Sequence, residues 1–304
     1  MGFVFGMYAG RTWSIPYITK RNEWSIGICV GDSPVGLKSL PGNPVLTARD
    51  VTDVPAYFVA DPFMVTRESK WFMFFEVLNA RSKNGEIGLA TSDDGLKWIY
   101  RQIIIAEPFH LSYPYVFEWD NEYYMIPESS QDYSVRLYKA LDFPAHWSYV
   151  GNLLYGRNFK DSSVVYYQDK WWMFTCDRRD YLLLYYSDDL LGPWIEHPAS
   201  PIVRGNAGAA RPAGRVIIFD GKIIRYVQEG SPANGFRVHA FEITDLTVLT
   251  YQDRPFAENP ILTASNDKWS EKGGHTIDPL EIAQGRWIAC VDYLRESIVI
   301  GLKH

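Results

Sequence analysis

The feature that most constrains the fold is an internal repeat of about fifty residues. Five segments of 16 residues each place two apolar runs around a short polar turn, and they occupy residues 61–76, 113–128, 161–176, 213–228 and 277–292. The turn falls at the same place within every segment. A repeat of this period indicates one supersecondary unit that stacks on copies of itself, because a single unit cannot bury its apolar face alone.

Each unit continues with a third apolar strand and a more irregular fourth. Third strands are "EIGLATSDDGLKW", "VRLYKALDFPAHW" and "LLLYYSDDLLGPW", which end at Trp98, Trp147 and Trp194, and "FRVHAFEITDL" takes this place in the fourth copy. Four antiparallel strands repeated five times predict an all-β protein, a five-bladed β-propeller formed by one domain over residues 1–304. The regular period disfavours a pair of β-sandwiches or a β-helix.

The two chain ends are predicted to close the ring. The N-terminal "WSIGICVGDSP" and the C-terminal "ESIVIGLKH" both resemble the third strand of a blade. We expect the ends to pair with each other in the fifth blade, and the sequence alone does not decide which end supplies the inner strands.

Composition narrows the partners. The net charge is −6 and there is no run of Lys or Arg, which argues against nucleic acid and anionic membranes. No window of 18 apolar residues predicts a membrane span, and the N-terminus lacks the features of a signal peptide, so a cytoplasmic location is the default expectation. Aromatic residues make up 15% of the chain. They favour strands, and flat rings also stack on the C–H faces of sugars.

Polar residues are predicted to gather at one end of the central channel. In a propeller the first strand of each blade lines this channel, and the start of the first strand lies beside the end of the second. These positions hold Asp61, Glu76, Glu128, Asp161, Asp177, Arg211, Gln228, Glu229, His275, Asp278 and Asp292, with His110 and Tyr113 opening the second repeat. Several acids together need protonation, pairing or a metal, because burying like charges is costly. The pattern therefore predicts a polar binding or catalytic funnel.

The carboxyl groups in this ring point to carbohydrate chemistry. Hydrolysis of a glycosidic bond needs one carboxyl group to protonate the leaving oxygen and a second to activate water or attack the anomeric carbon. The six His residues show no zinc spacing, and no glycine-rich loop precedes a helix for a nucleotide. We therefore predict no cofactor and no metal ligands, and leave open a structural cation in the channel.

A set of motifs in order resembles a known family. The motifs are "ADPFMV", "FFE", "HLSYPYVFE", "YMIPES", "LGPWIEHPASPIV", "RPAGRV", "VQEGSPANGFRV" and "GGHT", and the resemblance they carry covers roughly residues 24 to 293. They resemble the five-bladed glycosidase superfamily that includes family 43 glycoside hydrolases. They are more similar to the propeller domain found at the N-terminus of glucosamine inositolphosphorylceramide transferases and to its bacterial relatives.

The resemblance implies a catalytic template. In the family 43 pattern an Asp at the start of blade one is the general base, an Asp at the start of blade two tunes the acid, and a Glu at the start of blade three is the acid. Asp61 matches the base. Tyr113 stands at the tuning position and Asp161 at the acid position, which are departures from the pattern, so Glu128 becomes a competing candidate for the acid.

Two functions remain open from the sequence. The first is an enzyme of the glycoside hydrolase type, with Asp61 as base, and Glu128 or Asp161 as acid. The second is a non-catalytic carbohydrate-binding propeller that partners a glycosyltransferase or a sugar-modifying enzyme. In both, the ligand is an oligosaccharide or glycoconjugate, and the predicted substrate-binding residues are Glu76, His110, Tyr113, Asp177, Arg211, Gln228, Glu229, His275 and Asp292. A propeller that binds protein ranks below these two, because the funnel is strongly charged.

Overall fold

The computed structural model describes residues 15–230 and 237–303, and it confirms the predicted five-bladed β-propeller. Two strands precede the first repeat, β1 (Ile15–Gly31) and β2 (Leu37–Ser39). Blade one contains β3 (Ala56–Arg67), β4 (Lys70–Asn79), β5 (Gly85–Ser92) and β6 (Ile99–Ile105). Blade two contains β7 (Ser112–Trp119), β8 (Glu122–Ser129), β9 (Ser134–Asp142) and β10 (His146–Tyr155). Blade three contains β11 (Lys160–Tyr167), β12 (Lys170–Cys176), β13 (Leu182–Ser187) and β14 (Ile195–Glu196).

The remaining strands complete the ring. Blade four contains β15 (Arg211–Pro212), β16 (Ile217–Phe219), β17 (Lys222–Gln228), β18 (Arg237–Leu246), β19 (Tyr251–Pro255) and β20 (Leu262–Thr263). Blade five adds β21 (Ile277–Ala283) and β22 (Arg286–Lys303). Short 3-10 helices cover Ala48–Asp50 and Ser130–Asp132. The described residues contain no helix with the length and hydropathy of a membrane-spanning segment.

Blades one to three follow the chain, and neighbouring strands in each sheet are neighbours in sequence. Blade four is more irregular, because β15 and β16 both pair with β17, and β19 and β20 both pair with β18. The inner strands are apolar on both faces: Met73 and Phe74 are consecutive residues of β4, and both are fully buried. Successive side chains of a strand point to opposite faces, so a neighbouring blade covers each face.

Blade five joins the two chain ends. Its order from the channel outward is β21, β22, β1, β2, and β1 pairs with β22 along 17 residues. The N-terminal strand is therefore a third strand, as predicted. The prediction of a third strand in "ESIVIGLKH" is wrong, because this segment continues the second strand, β22. A blade has one third-strand position, which β1 fills, and the alternating pattern does not distinguish a second strand from a third.

The repeated tryptophans form hydrogen bonds to the backbone of turns. The third strands end at Ser92, Asp142 and Ser187, several residues before the tryptophans predicted to end them. The indole N–H groups of Trp98, Trp147 and Trp194 donate to backbone carbonyls three or four residues earlier. These tryptophans therefore close the turn between the third and fourth strands.

Candidate functional site

Three neighbouring blades begin with a residue in the left-handed backbone conformation. Asp61, Tyr113 and Asp161 have φ values of 52°, 46° and 49°, and the pairing of first and second strands shifts its register around each of them. A bulge of this kind re-aims a side chain, and the conformation costs a residue other than glycine about 1–3 kcal/mol. The structure confirms that the three positions are equivalent.

Asp61 lies between blades one and five. The Thr276 hydroxyl donates to its Oδ1 at 2.6 Å, and His275 Nε2 lies 3.6 Å from the same oxygen. Its backbone N–H donates to Asp292 Oδ2 at 2.9 Å. Burial raises the pKa of Asp61 to about 6, while His275 opposes the rise. The group is thus ionised at neutral pH and close to its titration point.

His275 is held as a cation beside Asp61. Its Nδ1 lies 2.7 Å from Asp292 Oδ2, and its ring stacks on Trp24 with the centroids 4.0 Å apart and the planes 13° apart. Burial opposes the charge, but Asp292 and Asp61 outweigh it and raise the pKa of His275 to about 9. At neutral pH the imidazolium therefore balances part of the negative charge of this end of the channel.

A second carboxyl cluster joins blades two, three and four. Arg211 Nε donates to Asp161 Oδ2 at 2.5 Å, and Gln228 Nε2 donates to the same oxygen at 2.9 Å. Arg211 also lies 3.5 Å from Glu128 Oε2. The Ser130 hydroxyl donates to Glu128 Oε1 at 2.7 Å. Asp161 thus has strong donors on one oxygen, and Glu128 has weaker ones.

The two carboxyls of this cluster take different protonation states. Glu128 Oε2 and Asp161 Oδ1 are buried and lack any other hydrogen-bond partner in the described residues, so one proton between the carboxyls satisfies both. Burial, the charge of Asp161 and this hydrogen bond raise the pKa of Glu128 to about 8. Burial also disfavours the charge on Asp161, but Arg211 and the hydrogen bond from Glu128 hold its pKa below the usual value. These shifts favour the proton on Glu128 and the charge on Asp161.

Glu76 and His110 form a third pair in the funnel. His110 Nδ1 accepts the backbone N–H of Gly85 at 2.9 Å, so a neutral ring carries its proton on Nε2, which lies 3.3 Å from Glu76 Oε1. Burial lowers the pKa of His110. Burial and the nearby acids, Asp61 first among them, raise the pKa of Glu76 well above its usual value. This pair adds hydrogen-bonding groups to the funnel, and burial disfavours the charged form of both side chains.

Two of the predicted substrate-binding residues are fully buried and have partners within the fold. Tyr113 is fully buried, and its hydroxyl contacts Ser163 Oγ at 2.9 Å and donates to the Gly214 carbonyl at 3.1 Å. Asp292 is fully buried as well, and both of its oxygens accept backbone N–H groups. The Tyr113 hydroxyl thus bonds to blades three and four inside the fold. Asp292 orders the backbone around His275.

Other predicted residues have partners of their own. Asp177 accepts two bonds from the Arg179 guanidinium, at 2.9 and 3.1 Å. Glu229 lies 3.1 Å from His239 Nε2. Both lie at the funnel ends of second strands, as the repeat predicts, and neither contacts the Glu128–Asp161 cluster through a hydrogen bond or an ion pair. Asp278 lies in the channel wall, where it binds Arg215.

The sequence reasoning missed three hydroxyl groups. Thr276 follows His275 in "GGHT", Ser130 lies two residues after Glu128 in "PESS", and Ser163 lies two residues after Asp161. Each flanks a residue that the repeat does select. The Ser130 hydroxyl reaches back to Glu128 through a local turn, so its short spacing from that residue could have indicated it. The Thr276 hydroxyl binds Asp61 across the boundary between blades five and one, and the Ser163 hydroxyl contacts Tyr113, so the repeat gives no signal for either contact.

One group of described residues has the donor atoms for a metal ion. Asp61, His275 and Asp292 each offer one ligand atom, and these atoms lie within 4.8 Å of one another. The donors are already engaged, because Asp292 accepts three backbone N–H groups and the cationic His275 has no free lone pair to offer. In this structure the three side chains form an ion-pair network, and a metal would bind here only with a neutral imidazole, after His275 had lost its proton.

Comparison with known sequences finds relatives of this chain among carbohydrate-related proteins. Residues 19–293 match the family described as Glucosamine inositolphosphorylceramide transferase 1, N-terminal. The chain is 35% identical over 299 residues to Glucosamine inositolphosphorylceramide transferase 1 of Oryza sativa subsp. japonica, and the match covers 90% of this chain and 40% of that protein. The Arabidopsis thaliana protein of the same name is 30% identical over 323 residues, covering 95% and 42%. The chain thus spans about two fifths of these relatives.

Solved structures share the fold at low sequence identity. The β-1,2-mannobiose phosphorylase of Listeria innocua has a TM-score of 0.63 at 13% identity, covering 88% of this chain and 96% of that chain. A thermostable family-43 glycoside hydrolase has a TM-score of 0.60 at 14% identity, covering 86% and 95%. The family 117 glycoside hydrolase Zg3597 of Zobellia galactanivorans has a TM-score of 0.54 at 16% identity, covering 78% and 84%. These likenesses show a glycoside hydrolase-like propeller.

Proposed function

This chain belongs to the family of N-terminal domains of glucosamine inositolphosphorylceramide transferase 1, and from that membership we propose that its funnel binds a glycan and cleaves a glycosidic bond. The coarse function is carbohydrate-related, which the relatives and the fold both indicate. The observation that carries the finer proposal is the buried pair of Glu128 and Asp161, two carboxyl groups that both contact Arg211.

The roles follow from the partners of each carboxyl group. Glu128 holds a proton at neutral pH and is the general acid that protonates the leaving oxygen as the glycosidic bond breaks. Asp61 is ionised and is the general base that takes a proton from the attacking water. Two acids whose environments separate their pKa values are the usual mark of such a division of labour.

Asp161 is the tuning group in this scheme. It accepts hydrogen bonds from Arg211, Gln228 and Glu128, which keep it ionised and leave it no proton to give. Its negative charge raises the proton affinity of Glu128. The role that the family 43 pattern gives to the start of blade two, where this chain has Tyr113, thus moves to the start of blade three. Arg211 and the Glu76–His110 pair are left to bind sugar hydroxyls.

The second candidate function is glycan binding without turnover. It is favoured by Arg211, which contacts both Asp161 and Glu128 and so stabilises the resting pair internally. It also suits relatives that are named transferases and extend well beyond this domain. On this reading the domain holds a glycoconjugate for a partner glycosyltransferase.

A substrate screen with two variants tests the proposal. Aryl glycosides and natural oligosaccharides are incubated with the wild type, Asp61→Asn and Glu128→Gln, with Asp142→Asn as a control at the exposed far end of blade two. We expect both funnel variants to lose about 10²- to 10⁴-fold in kcat, with sugar binding retained, and the control to match the wild type. Binding without turnover in the wild type, lost in Arg211→Ala, would instead establish the second function. Absence of both binding and turnover would contradict both.

A further inference from the structure

We propose that Tyr133 and Tyr155, at the funnel end of blade two, form a subsite for further sugar residues of a glycan whose terminal residue occupies the funnel. The inference rests on the proposed function, because it assumes that the funnel binds a sugar. It adds that the ligand is an oligosaccharide chain or a glycoconjugate with several sugar residues.

Tyr133 occupies a position where the fold does not require a tyrosine. It follows the 3-10 helix Ser130–Asp132 with φ 56° and ψ 33°, and 50% of the residue is exposed. Gly or Asn adopts this left-handed conformation at lower cost. Within the described residues its ring has no aromatic partner and its hydroxyl no hydrogen bond. An exposed ring kept in a strained conformation suggests a use outside the fold.

Tyr155 brings a second ring to the same place. It ends the outer strand β10, it is 75% exposed, and it pairs with Ser134, the residue after Tyr133. The backbone N–H of Gly156 donates to the Tyr133 carbonyl at 2.8 Å. The backbones that carry the two exposed rings are therefore hydrogen-bonded neighbours, and we call these two residues the aromatic edge.

The aromatic edge is continuous with the Glu128 cluster. Ser130, which donates to Glu128 Oε1, begins the helix that leads to Tyr133. Asn158, three residues after Tyr155, donates to the Ser130 carbonyl at 2.9 Å, and its own Oδ1 is buried without a partner in the described chain. The segments that present the rings thus also hold the acid. The aromatic edge and Glu128 are therefore connected through the same short segments of chain.

The distance across the blade sets the size of the ligand. An outer strand lies three strand spacings from the inner one, about 14 Å, so a single sugar in the funnel does not reach Tyr155. Tyrosine offers an apolar face and a polar tip, which suits the C–H faces and hydroxyls of sugars. The polar neighbours Arg157 and Asn158 favour a hydrated glycan over an apolar partner.

The test measures binding as a function of chain length. Linear gluco-, manno- and xylo-oligosaccharides of one to five residues are titrated into a Glu128→Gln background, which prevents turnover, by isothermal calorimetry. We expect a tetrasaccharide of at least one series to bind about tenfold or more tighter than its monosaccharide. Tyr133→Asn and Tyr155→Ala should together remove this gain and leave monosaccharide affinity within about twofold. Leu141→Ala, a matched change at a residue that is 75% exposed at the far end of the same blade, should keep it.

The outcomes separate this inference from the proposed function. Equal affinity for all chain lengths, or a gain that survives in the double variant, would overturn the subsite while monosaccharide binding still upheld the funnel. Tyrosine-dependent binding to phosphatidylcholine vesicles that carry no sugar would assign the edge to lipid and overturn the subsite as well. Binding of none of the three series would count against both proposals. Tyr133→Asn is compatible with the left-handed conformation, so a loss of affinity there reports the ring and not misfolding.

Discussion

Burial and the charge of Asp161 raise the pKa of Glu128 to about 8, whereas Arg211 and the hydrogen bond from Glu128 lower the pKa of Asp161. The difference arises from partners, because Arg211 and Gln228 both donate to Asp161, while Glu128 has Ser130 and a more distant Arg211 contact. Two side chains of the same chemistry thus take opposite roles through placement alone. This asymmetry is testable through rate and through stability.

The first prediction concerns the pH dependence of turnover. The base Asp61 must be ionised, so activity should rise through a pKa of about 6, and the acid Glu128 must be protonated, so it should fall through about 8. We expect a bell-shaped profile of kcat/KM with its maximum near pH 7. A rate that stays level from pH 7 to 10 would contradict Glu128 as the acid.

The second prediction concerns stability and does not need a substrate. The folded pKa of Glu128, about 8, lies above its ordinary value of 4.5. A raised pKa contributes stability that is full below the unfolded value and is lost as pH rises through the folded one. Glu128→Gln mimics the protonated acid, so the wild type should lose on the order of 4 kcal/mol relative to this variant between pH 5 and 9. Urea unfolding at several pH values measures it, with Asp142→Asn as control, and parallel curves for wild type and Glu128→Gln would contradict a buried proton.

At the scale of the element, the repeat alone predicts the five hairpins, because alternating apolar runs and matched turns determine strands one and two. The same reasoning places Asp61, Glu128 and Asp161 at one end of the channel. It could not predict that Tyr113 points inward, since an equivalent backbone position says nothing of how far a side chain reaches. The repeat also could not predict the hydrogen bond from the Ser130 hydroxyl to Glu128, because that bond depends on a turn outside the repeat.

A second repeated motif explains the irregular outer strands of blades four and five. The sequence "NPVLT" begins at Asn43, and "NPILT" begins at Asn259. The Asn43 amide accepts from the N–H of Ile28 at 2.8 Å and donates to its carbonyl at 2.8 Å. Asn259 does the same to Ala240, at 2.7 and 2.8 Å. One amide side chain thus replaces two hydrogen bonds of a regular fourth strand.

The third prediction follows from this replacement. Asn43→Ala and Asn259→Ala each leave a backbone N–H and carbonyl of a third strand without partners, so each should lower the free energy of unfolding by about 1–3 kcal/mol. Asn266→Ala, on the exposed surface, is the control and should stay within about 0.5 kcal/mol of the wild type. Thermal or urea unfolding measures all three. Destabilisation by Asn266→Ala equal to the others would show that the effect is not specific to the paired amides.

At the scale of the molecule, one side chain, only 14% exposed, connects the blades across the channel. Arg215 of blade four binds Asp278 of blade five at 2.8 Å, the Met64 carbonyl of blade one at 3.3 Å and the Val116 carbonyl of blade two at 2.9 Å. It lies over the ring of Tyr115, whose hydroxyl donates to a carbonyl of blade three. All five blades therefore meet in one network below the funnel.

This network complements the closure in blade five. There β1 and β22 join the ends of the chain by backbone pairing at the outside of the ring, while Arg215 holds the inner strands together at the axis. Asp278 also accepts the N–H of Met64 at 2.7 Å, so it fixes blade one against blade five beside the Asp61 site. The stability of the ring and the geometry of the funnel thus depend on the same ion pair.

The last prediction tests whether this pair closes the ring. Arg215→Met leaves Asp278 charged and buried, and Asp278→Asn leaves the guanidinium without its counter-ion, so each should cost about 3–5 kcal/mol in urea unfolding. The double variant has no uncompensated charge, so its loss should be clearly smaller than the sum of the two single losses, by an interaction energy of about 1–3 kcal/mol. If the losses simply added, the two side chains would be acting independently. A single variant that unfolded in two separate steps would show further that the cooperativity of the five blades depends on this contact at the axis.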